Sequence, residues 1–332
     1  MRQRIAVIYN DTCPSRYDSL GEQKAVLGVL DAVQAVDNAL QELGHVVTRV
    51  PLTPPLEETE KKLTSLGVDL VFNLFEGFSG YPETEAKVAD ILTLMGIPHT
   101  GCPGPALRLA LDKSKVKALL QDNGIDTPAF QLLTPETISK FRLKFPCIVK
   151  PCGEDASHGI SQESVVGNLA GLKKQVARIS RSYGGKALVE EFVDGREFNV
   201  TVLGNSKLSV LPVSEIEYAL PHGVPRILTY AAKWDPESPD FRGTTAVCPA
   251  RITNREVKRL EEVALKAFRL LGCRGYARID LRLDNDGHVN VLEVNPNPDI
   301  SPGSGAIRQA EAAGMTYTQY IENTTLLAPE RN

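Results

Sequence analysis

The sequence predicts an α/β fold that passes into α+β in its C-terminal half, and three observations carry that reading. Short apolar runs alternate with helix-period stripes through the first third. Longer strands with polar–apolar alternation follow, the last two joined across an Asp-Gly turn. Glycine or proline stands at nearly every change of pattern. At 332 residues the chain is long for one compact core, so two or three units are expected.

The first apolar run, residues 5–9 behind Arg2-Gln3-Arg4, is too short for a signal-peptide core or a membrane span and reads as a β-strand. Val26, Leu30, Val33, Val36, Leu40 and Leu43 then recur at helical spacing and form one buried stripe. Gly44 stops that helix, and residues 45–50 resume as strand. A Pro-rich turn leads to another helix and to a buried strand over 69–74. Residues 82–95 form a helix with proline in its first turn and Gly96 behind it. This β-α-β-α-β order implies a small parallel sheet covered by helices.

Farther on, residues 145–150 and 187–193 read as strands bracketing a loop and a helix over 169–181. Strands over 197–204 and 208–218 come next. The stretch 220–249, rich in proline, glycine and charge, lacks periodicity and is expected to be a lid or binding loop. Thr253-Asn254 opens a helix over 255–271 that Gly272 closes; two strands and two short helices finish the chain.

Composition narrows the class. With 42% hydrophobic and 23% charged residues the chain can bury a sizeable core, and a net charge of −4 gives no electrostatic reason to expect nucleic acid or membrane as partner. Cysteines 13, 102, 147, 152, 248 and 273 are scattered without a Cys-x-x-Cys pair, as expected for reduced thiols in a cytoplasmic protein.

The most informative segment is GYARIDLRLDNDGHVNVLEVNPNPD, residues 275–299. A two-residue turn at Asp286-Gly287 sets Asp280 opposite Glu293 and Arg278 opposite Asn295, all on one face. Two carboxylates facing across a ladder repel each other, and a divalent cation between them removes the conflict. All-oxygen ligands suit Mg²⁺. The other reading is a solvent face whose charges are screened, but it gives no reason for Asn295-Pro296-Asn297 after the acid.

Lys150 ends the strand FPCIVK beside the small-residue loop PCGEDASHGI, where an ammonium and loop N–H groups can hold phosphate; a plain strand-edge lysine fits equally well. Lys113 opens a helix, and solvation alone would explain it. Glu190 and Glu197 bracket EFVDGRE and can accept from an adenosine amino group and ribose hydroxyls, or can belong to a charged surface hairpin.

In their order and spacing, the stretches LTLMGIPHTG, ALDKSKVKALL, FPCIVKPCGEDASHGI, LVEEFVDGREFNVTVLG, YAAKW, CRGYARIDLRLDNDG and VLEVNPNPDISPGS resemble the ATP-grasp enzymes, and within them the D-alanine–D-alanine ligase family. They cover most of the chain from residue 70 onward. The resemblance implies an ATP-grasp fold in three units: an N-terminal parallel-sheet domain at 1–110, a central subdomain at 111–193 and a C-terminal subdomain at 194–332. It implies that Lys113 and Lys150 contact ATP phosphates under a 152–159 loop that includes Ser157. Glu190 would read adenine beside Phe192 and Val193, and Glu197 would take the ribose. Asp280, Glu293 and Asn295 would hold Mg²⁺, for which Mn²⁺ could substitute. Lys233 would close onto the transferred phosphate; Arg278, helped by Ser304, would steady an oxyanion and the incoming carboxylate.

The implied activity is a carboxylate–amine ligation through an acyl phosphate, on small-molecule substrates (a carboxylate and an amino acid), by a possible homodimer. The chain also departs from the family pattern. No Gly-Gly-x-Ser-x-Glu follows the first strand, which runs into YNDTCPSRYDS. Glu76 stands where the family has histidine, Ala156 for a serine, Trp234 for a tyrosine and Asp299 for a glycine. These changes fall on the amino-acid side, so the chemistry is expected to persist; the leading reading forms a D-Ala-D-Ala-like dipeptide or a related amide, and a second joins an amino acid to a carboxylate other than D-alanine. The other readings are an inactive nucleotide-binding module, which predicts a broken metal set, and a biotin-carboxylase-like enzyme, for which no carrier segment is present.

Overall fold

The computed structural model describes residues 2–11, 14–24 and 28–328. The chain begins with a three-stranded parallel sheet, β1 (Arg4–Asn10) between β2 (Val46–Leu52) and β3 (Leu70–Leu74). Every second residue of β1 faces the opposite side, and both sides are dry. Ile5 and Val7 pack against α1 (Val29–Glu42) and the C-terminal helices, while Ala6 and Ile8 meet Leu63 of α2 (Leu56–Thr64) and Val88 and Leu92 of α3 (Glu83–Leu94). Burial on both faces is why the strand reads as a continuous apolar run. The expected first turn of α1 around Val26, like Cys13, lies outside the described residues; its far end is where Gly44 was expected to put it, at a φ of 84°.

Helices α4 (Gly104–Leu111) and α5 (Lys113–Asp122) lead into a four-stranded antiparallel sheet in the order β4 (Phe130–Leu133), β7 (Ala187–Glu191), β5 (Cys147–Pro151), β6 (Val165–Val166). Its inner face, Cys147 and Val149 with Ala187 and Val189, packs on Leu172, Val176 and Ile179 of α6 (Leu169–Ser182). By strand alternation the other face presents Lys150 and Glu190.

The third sheet runs β11 (Thr244–Val247), β10 (Ser214–Tyr218), β8 (Gly195–Gly204), β12 (Tyr276–Asp284), β13 (Val289–Asn295), with β9 (Leu208–Val210) beside β8. One face, Phe198, Val200, Ile279 and Leu281 among others, is covered by Leu260, Ala264, Ala267 and Phe268 of α9 (Asn254–Leu270). Burying each large side chain in that contact contributes about 1.5–3 kcal/mol. The opposite face carries Glu197, Asp280, Arg282 and Glu293 toward the second sheet, and the cleft lies between the two. Gly195 lets β8 come that close to β12: a Cβ there would stand 2.1 Å from the Leu283 carbonyl oxygen. The chain ends in α10 (Gly305–Ala312) and α11 (Tyr317–Leu326), whose Ile307, Tyr320 and Ile321 join the core of the first sheet.

Three expectations are corrected. The strand expected over 208–218 is two, β9 and β10, interrupted around Pro212. The 220–249 stretch contains α7 (Tyr230–Trp234), α8 (Pro239–Arg242) and β11, each helix capped by a side chain, Thr229 and Ser238. The last hairpin does not close on two residues: the Asp284 N–H donates to the His288 carbonyl, leaving three in the loop. That slip is undone by a bulge at Leu292, so Asp280 still pairs Glu293 and Arg278 pairs Asn295. The described thiols, Cys102, Cys147, Cys152, Cys248 and Cys273, are unpaired, and no described helix is long and apolar enough to cross a membrane.

Candidate active site

Two cavities meet behind the 152–159 loop. The smaller, about 120 Å³, is lined by Lys113, Lys150, Ser157, Glu190, Phe192, Val193, Glu197 and Asp280. The larger, about 460 Å³, is lined by Arg278 and Asn295 together with Glu76, Glu85, Ala156, Trp234 and Asp299. Asp155, His158, Lys233 and Glu293 border both. The fold thus brings the expected nucleotide residues together. It places all four departures named above (76, 156, 234 and 299) around the other cavity. Ser304 stands at the N-terminal boundary of α10 without lining either space; its hydroxyl makes no capping bond and, buried, has no hydrogen-bond partner among the described residues, Arg278 included.

Charges in the smaller cavity are paired. The Lys113 ammonium lies 2.8 Å from Glu293 and 2.9 Å from Asp155, and it also donates to the Glu154 carbonyl. Burial works against its charge, but the two carboxylates hold its pKa above the ordinary lysine value. Burial alone would raise Glu293; Lys113 outweighs it and keeps the carboxyl well below its usual range. Glu190 sits between Lys117 at 3.0 Å and Lys150 at 2.9 Å. Those lysines overcome its burial and lower its pKa, while burial and Lys150 push Lys117 down to about 8 despite Glu190. Glu197 accepts from the Tyr218 hydroxyl at 2.8 Å and from Arg282, whose guanidinium also donates to the Val193 carbonyl at 3.1 Å.

The facing acids of the hairpin are not left to repel. Asp280 is gripped in two-toothed fashion by Arg278, at 2.7 and 2.9 Å, and accepts from Asn199 at 2.7 Å, while Glu293 has Lys113. The like-charge argument for a cation is corrected to that extent: each acid carries its own counter-ion. The Asn295 side-chain oxygen accepts from the Asn297 N–H at 2.9 Å. Among the described residues the compact trio of metal-capable side chains is Asp284, half-buried, with the exposed Asp286 and His288, at the hairpin loop and outside the lining of either cavity.

Lys233 differs from its neighbours. Half-buried on α7, with no carboxylate at ion-pair distance among the described residues, it has a pKa lowered first by burial and then by Arg278.

Sequence reasoning missed Lys117, Arg282 and Asp155. Lys117 lies one helical turn beyond Lys113, and Arg282 continues the alternation that placed Arg278 and Asp280, so both had a signal. Asp155 had none, because a loop residue carries no periodicity.

Known proteins resemble this chain in sequence and in fold. The family model described as "D-ala D-ala ligase C-terminus" matches residues 119–326. An uncharacterized protein of Sinorhizobium fredii is 38% identical over 79% of this chain and 75% of its own. The D-alanine–D-alanine ligase B of Chromobacterium violaceum is 31% identical over 79% of this chain and 82% of its own. The crystal structure of D-alanine–D-alanine ligase from Bacillus anthracis complexed with ATP superposes with a TM-score of 0.74 at 20% identity, covering 98% of this chain and 97% of that one. The fold is that of the ATP-grasp class of ATP-dependent ligases. Within that class, the chain belongs to the D-alanine–D-alanine ligase family.

Proposed function

We propose that this enzyme uses ATP and Mg²⁺ to activate a substrate carboxylate as an acyl phosphate and passes the acyl group to an amino acid's amine. The observation that carries the reading is the junction: Lys233, without a carboxylate at ion-pair distance among the described residues, stands with Glu293 on the wall common to the lysine-lined cleft and a separate, larger cavity. A phosphoryl group crossing that wall would meet Lys233, Lys113 and Lys150. The loop N–H groups, and Ser157 once its hydroxyl exchanges the Leu228 carbonyl for phosphate, would donate to the other phosphate oxygens; Glu190 and the Phe192–Val193 backbone would face adenine, and Glu197 would hold the ribose. Asp280, Glu293 and Asn295 supply an all-oxygen donor set that fits Mg²⁺, with Asp155 within reach of the same lysine. When bound, the ion would neutralise charge on the phosphates.

The substrate carboxylate oxygen attacks the γ-phosphorus and ADP leaves; the amine then attacks the acyl carbon, phosphate leaves, and the ammonium proton is lost. Arg278 is suited to the carboxylate of the amine donor and to the developing oxyanion. Positioning and charge neutralisation supply most of the rate, and the 152–159 and 220–249 segments exclude water from the acyl phosphate. We take the substrates to be small molecules and the enzyme to be cytoplasmic; the family suggests a homodimer, and the three units 1–110, 111–193 and 194–332 remain the working division.

A second reading keeps the chemistry and changes the first substrate, and Glu76, Glu85 and Asp299 around the larger cavity favour it over D-alanine. Phosphate release with ATP, Mg²⁺ and a panel of carboxylate–amine pairs separates the two. Turnover with D-alanine alone supports the family's own reaction, and strict dependence on a different carboxylate supports the second reading. No phosphate with any pair, together with no nucleotide binding, would remove both.

A further inference from the structure

The 152–159 loop holds a costly conformation. Ala156 and Ser157 have φ of 51° and 60°, left-handed values that side-chain-bearing residues keep only when their surroundings impose them. From the lid side, the Trp234 indole donates to the Ala156 carbonyl at 3.1 Å and the Ser157 hydroxyl to the Leu228 carbonyl at 3.0 Å. The opposite restraint comes from the far end of the sequence. The Glu22 carboxylate accepts from the Gly159 N–H at 3.1 Å and the Tyr183 hydroxyl at 2.9 Å, with His158 Nδ1 at 2.7 Å. Tyr17 stacks flat on the His158 ring, centroids 3.8 Å apart and planes 4° apart, and its hydroxyl, with Arg16, holds Glu154. Gly80 provides the seat for this segment: a Cβ there would meet the Tyr17 ring at 2.8 Å.

We propose that Glu22 and Tyr17 are positioning residues for the nucleotide. They clasp the loop in the strained form that leaves its remaining N–H groups to the phosphates, while the Ser157 hydroxyl is held on the Leu228 carbonyl. Because Tyr17 also walls the larger cavity, one segment ties the first-substrate space to the ATP cleft. This rests on the ligase reading. Without the clasp the loop relaxes, and apparent affinity falls in proportion to the fraction that stays competent.

The test is calorimetric titration of the whole enzyme with Mg·ATPγS, alongside hydrogen exchange at the Gly159 amide and thermal melting. Glu22→Gln keeps the size of the side chain and removes its charge. It is expected to weaken nucleotide binding roughly tenfold, the effect of a competent fraction near a tenth, and to speed Gly159 exchange while the melting midpoint holds. Tyr183→Phe, which removes one donor, should give a smaller effect of the same kind, and Glu22→Asp should recover part of the loss. Equal affinity and equal Gly159 exchange in wild type and Glu22→Gln would overturn the clasp and leave the ligase reading standing. Loss of affinity only in step with a lowered midpoint would overturn it too. Failure of the wild type to bind Mg·ATPγS would remove the ligase reading and the clasp together.

Discussion

The two cavities share a wall but are built on opposite electrostatic plans. In the smaller one nearly every charge has a partner: Lys113 with Glu293 and Asp155, Lys117 and Lys150 with Glu190, Arg282 with Glu197. In the larger one the acids that belong to it alone, Glu76, Glu85 and Asp299, make no ion pair among the described residues. Among the described residues no cation lies at ion-pair distance from Glu76, Glu85 has only the Asn297 amide at 2.7 Å, and Asp299 accepts only from Ser301. A paired set is preorganised and resists variation, since removing one member strands the other. Unpaired acids instead leave room for a ligand to bring the missing charge. The ligand chemistry of the first cavity is therefore fixed by the protein, and that of the second by what enters.

The largest effect should come from breaking the paired side at the reacting phosphate. Lys150→Ala and Glu293→Ala are each expected to lower ADP formation by about 10²- to 10³-fold or more, with far-UV circular dichroism unchanged, since both side chains open on the cleft. Turnover at the wild-type rate in either variant would take that residue out of the site.

Next in size are the consequences of stranding a buried charge. Glu190→Gln leaves two lysines facing each other without an anion and should cost about 3 kcal/mol in denaturant unfolding. Lys117→Met leaves Glu190 with Lys150 and should cost roughly 1 kcal/mol, the Thr127 hydroxyl keeping its bond to the Val291 carbonyl. The sign of the pH dependence can be checked. The Lys117 pKa, about 8 when folded against an ordinary 10.5, means the unfolded chain holds the extra proton between those values, so stability rises with pH through that window. Equal penalties for the two variants would mean that the trio is not acting as one unit.

The same contrast explains what could be read from the residues alone. Paired charges on regular elements announce themselves: alternation along β12 and β13 placed Asp280, Glu293, Arg278 and Asn295, and the pairing survived an error in the turn because the Leu292 bulge restored the register. Lys117 and Arg282 were legible by the same periodicities. Nothing local could reveal that Glu22 and Tyr17 reach the 152–159 loop, because contacts across more than a hundred residues depend on how separate sheets dock. The break in 208–218 was missed because Leu211 and Val213 continue the apolar pattern across Pro212. The helices within 220–249 are one turn each, too short to show a period.

The smallest effect tests the unpaired side, through pH. Burial first, and then Asp299 and Asp155, raise the Glu76 carboxyl from 4.5 to about 8. The side chain opens on the larger cavity and is reached by solvent, so the resulting change in stability is tempered. Its sign is nevertheless fixed. The folded chain holds a proton that the unfolded chain has lost between 4.5 and 8, so the contribution is complete below 4.5 and disappears as pH rises through 8. Melting midpoints taken across that window should decline in the wild type and decline less in Glu76→Gln, with the variant the more stable at the alkaline end. A ligand that brings a positive charge to Glu76 should bind the wild type more tightly as pH climbs through the same window, and Glu76→Gln should abolish that slope. Parallel curves for wild type and variant would show that Glu76 titrates as a surface acid does, and the contrast between the two cavities would then shrink to one of shape.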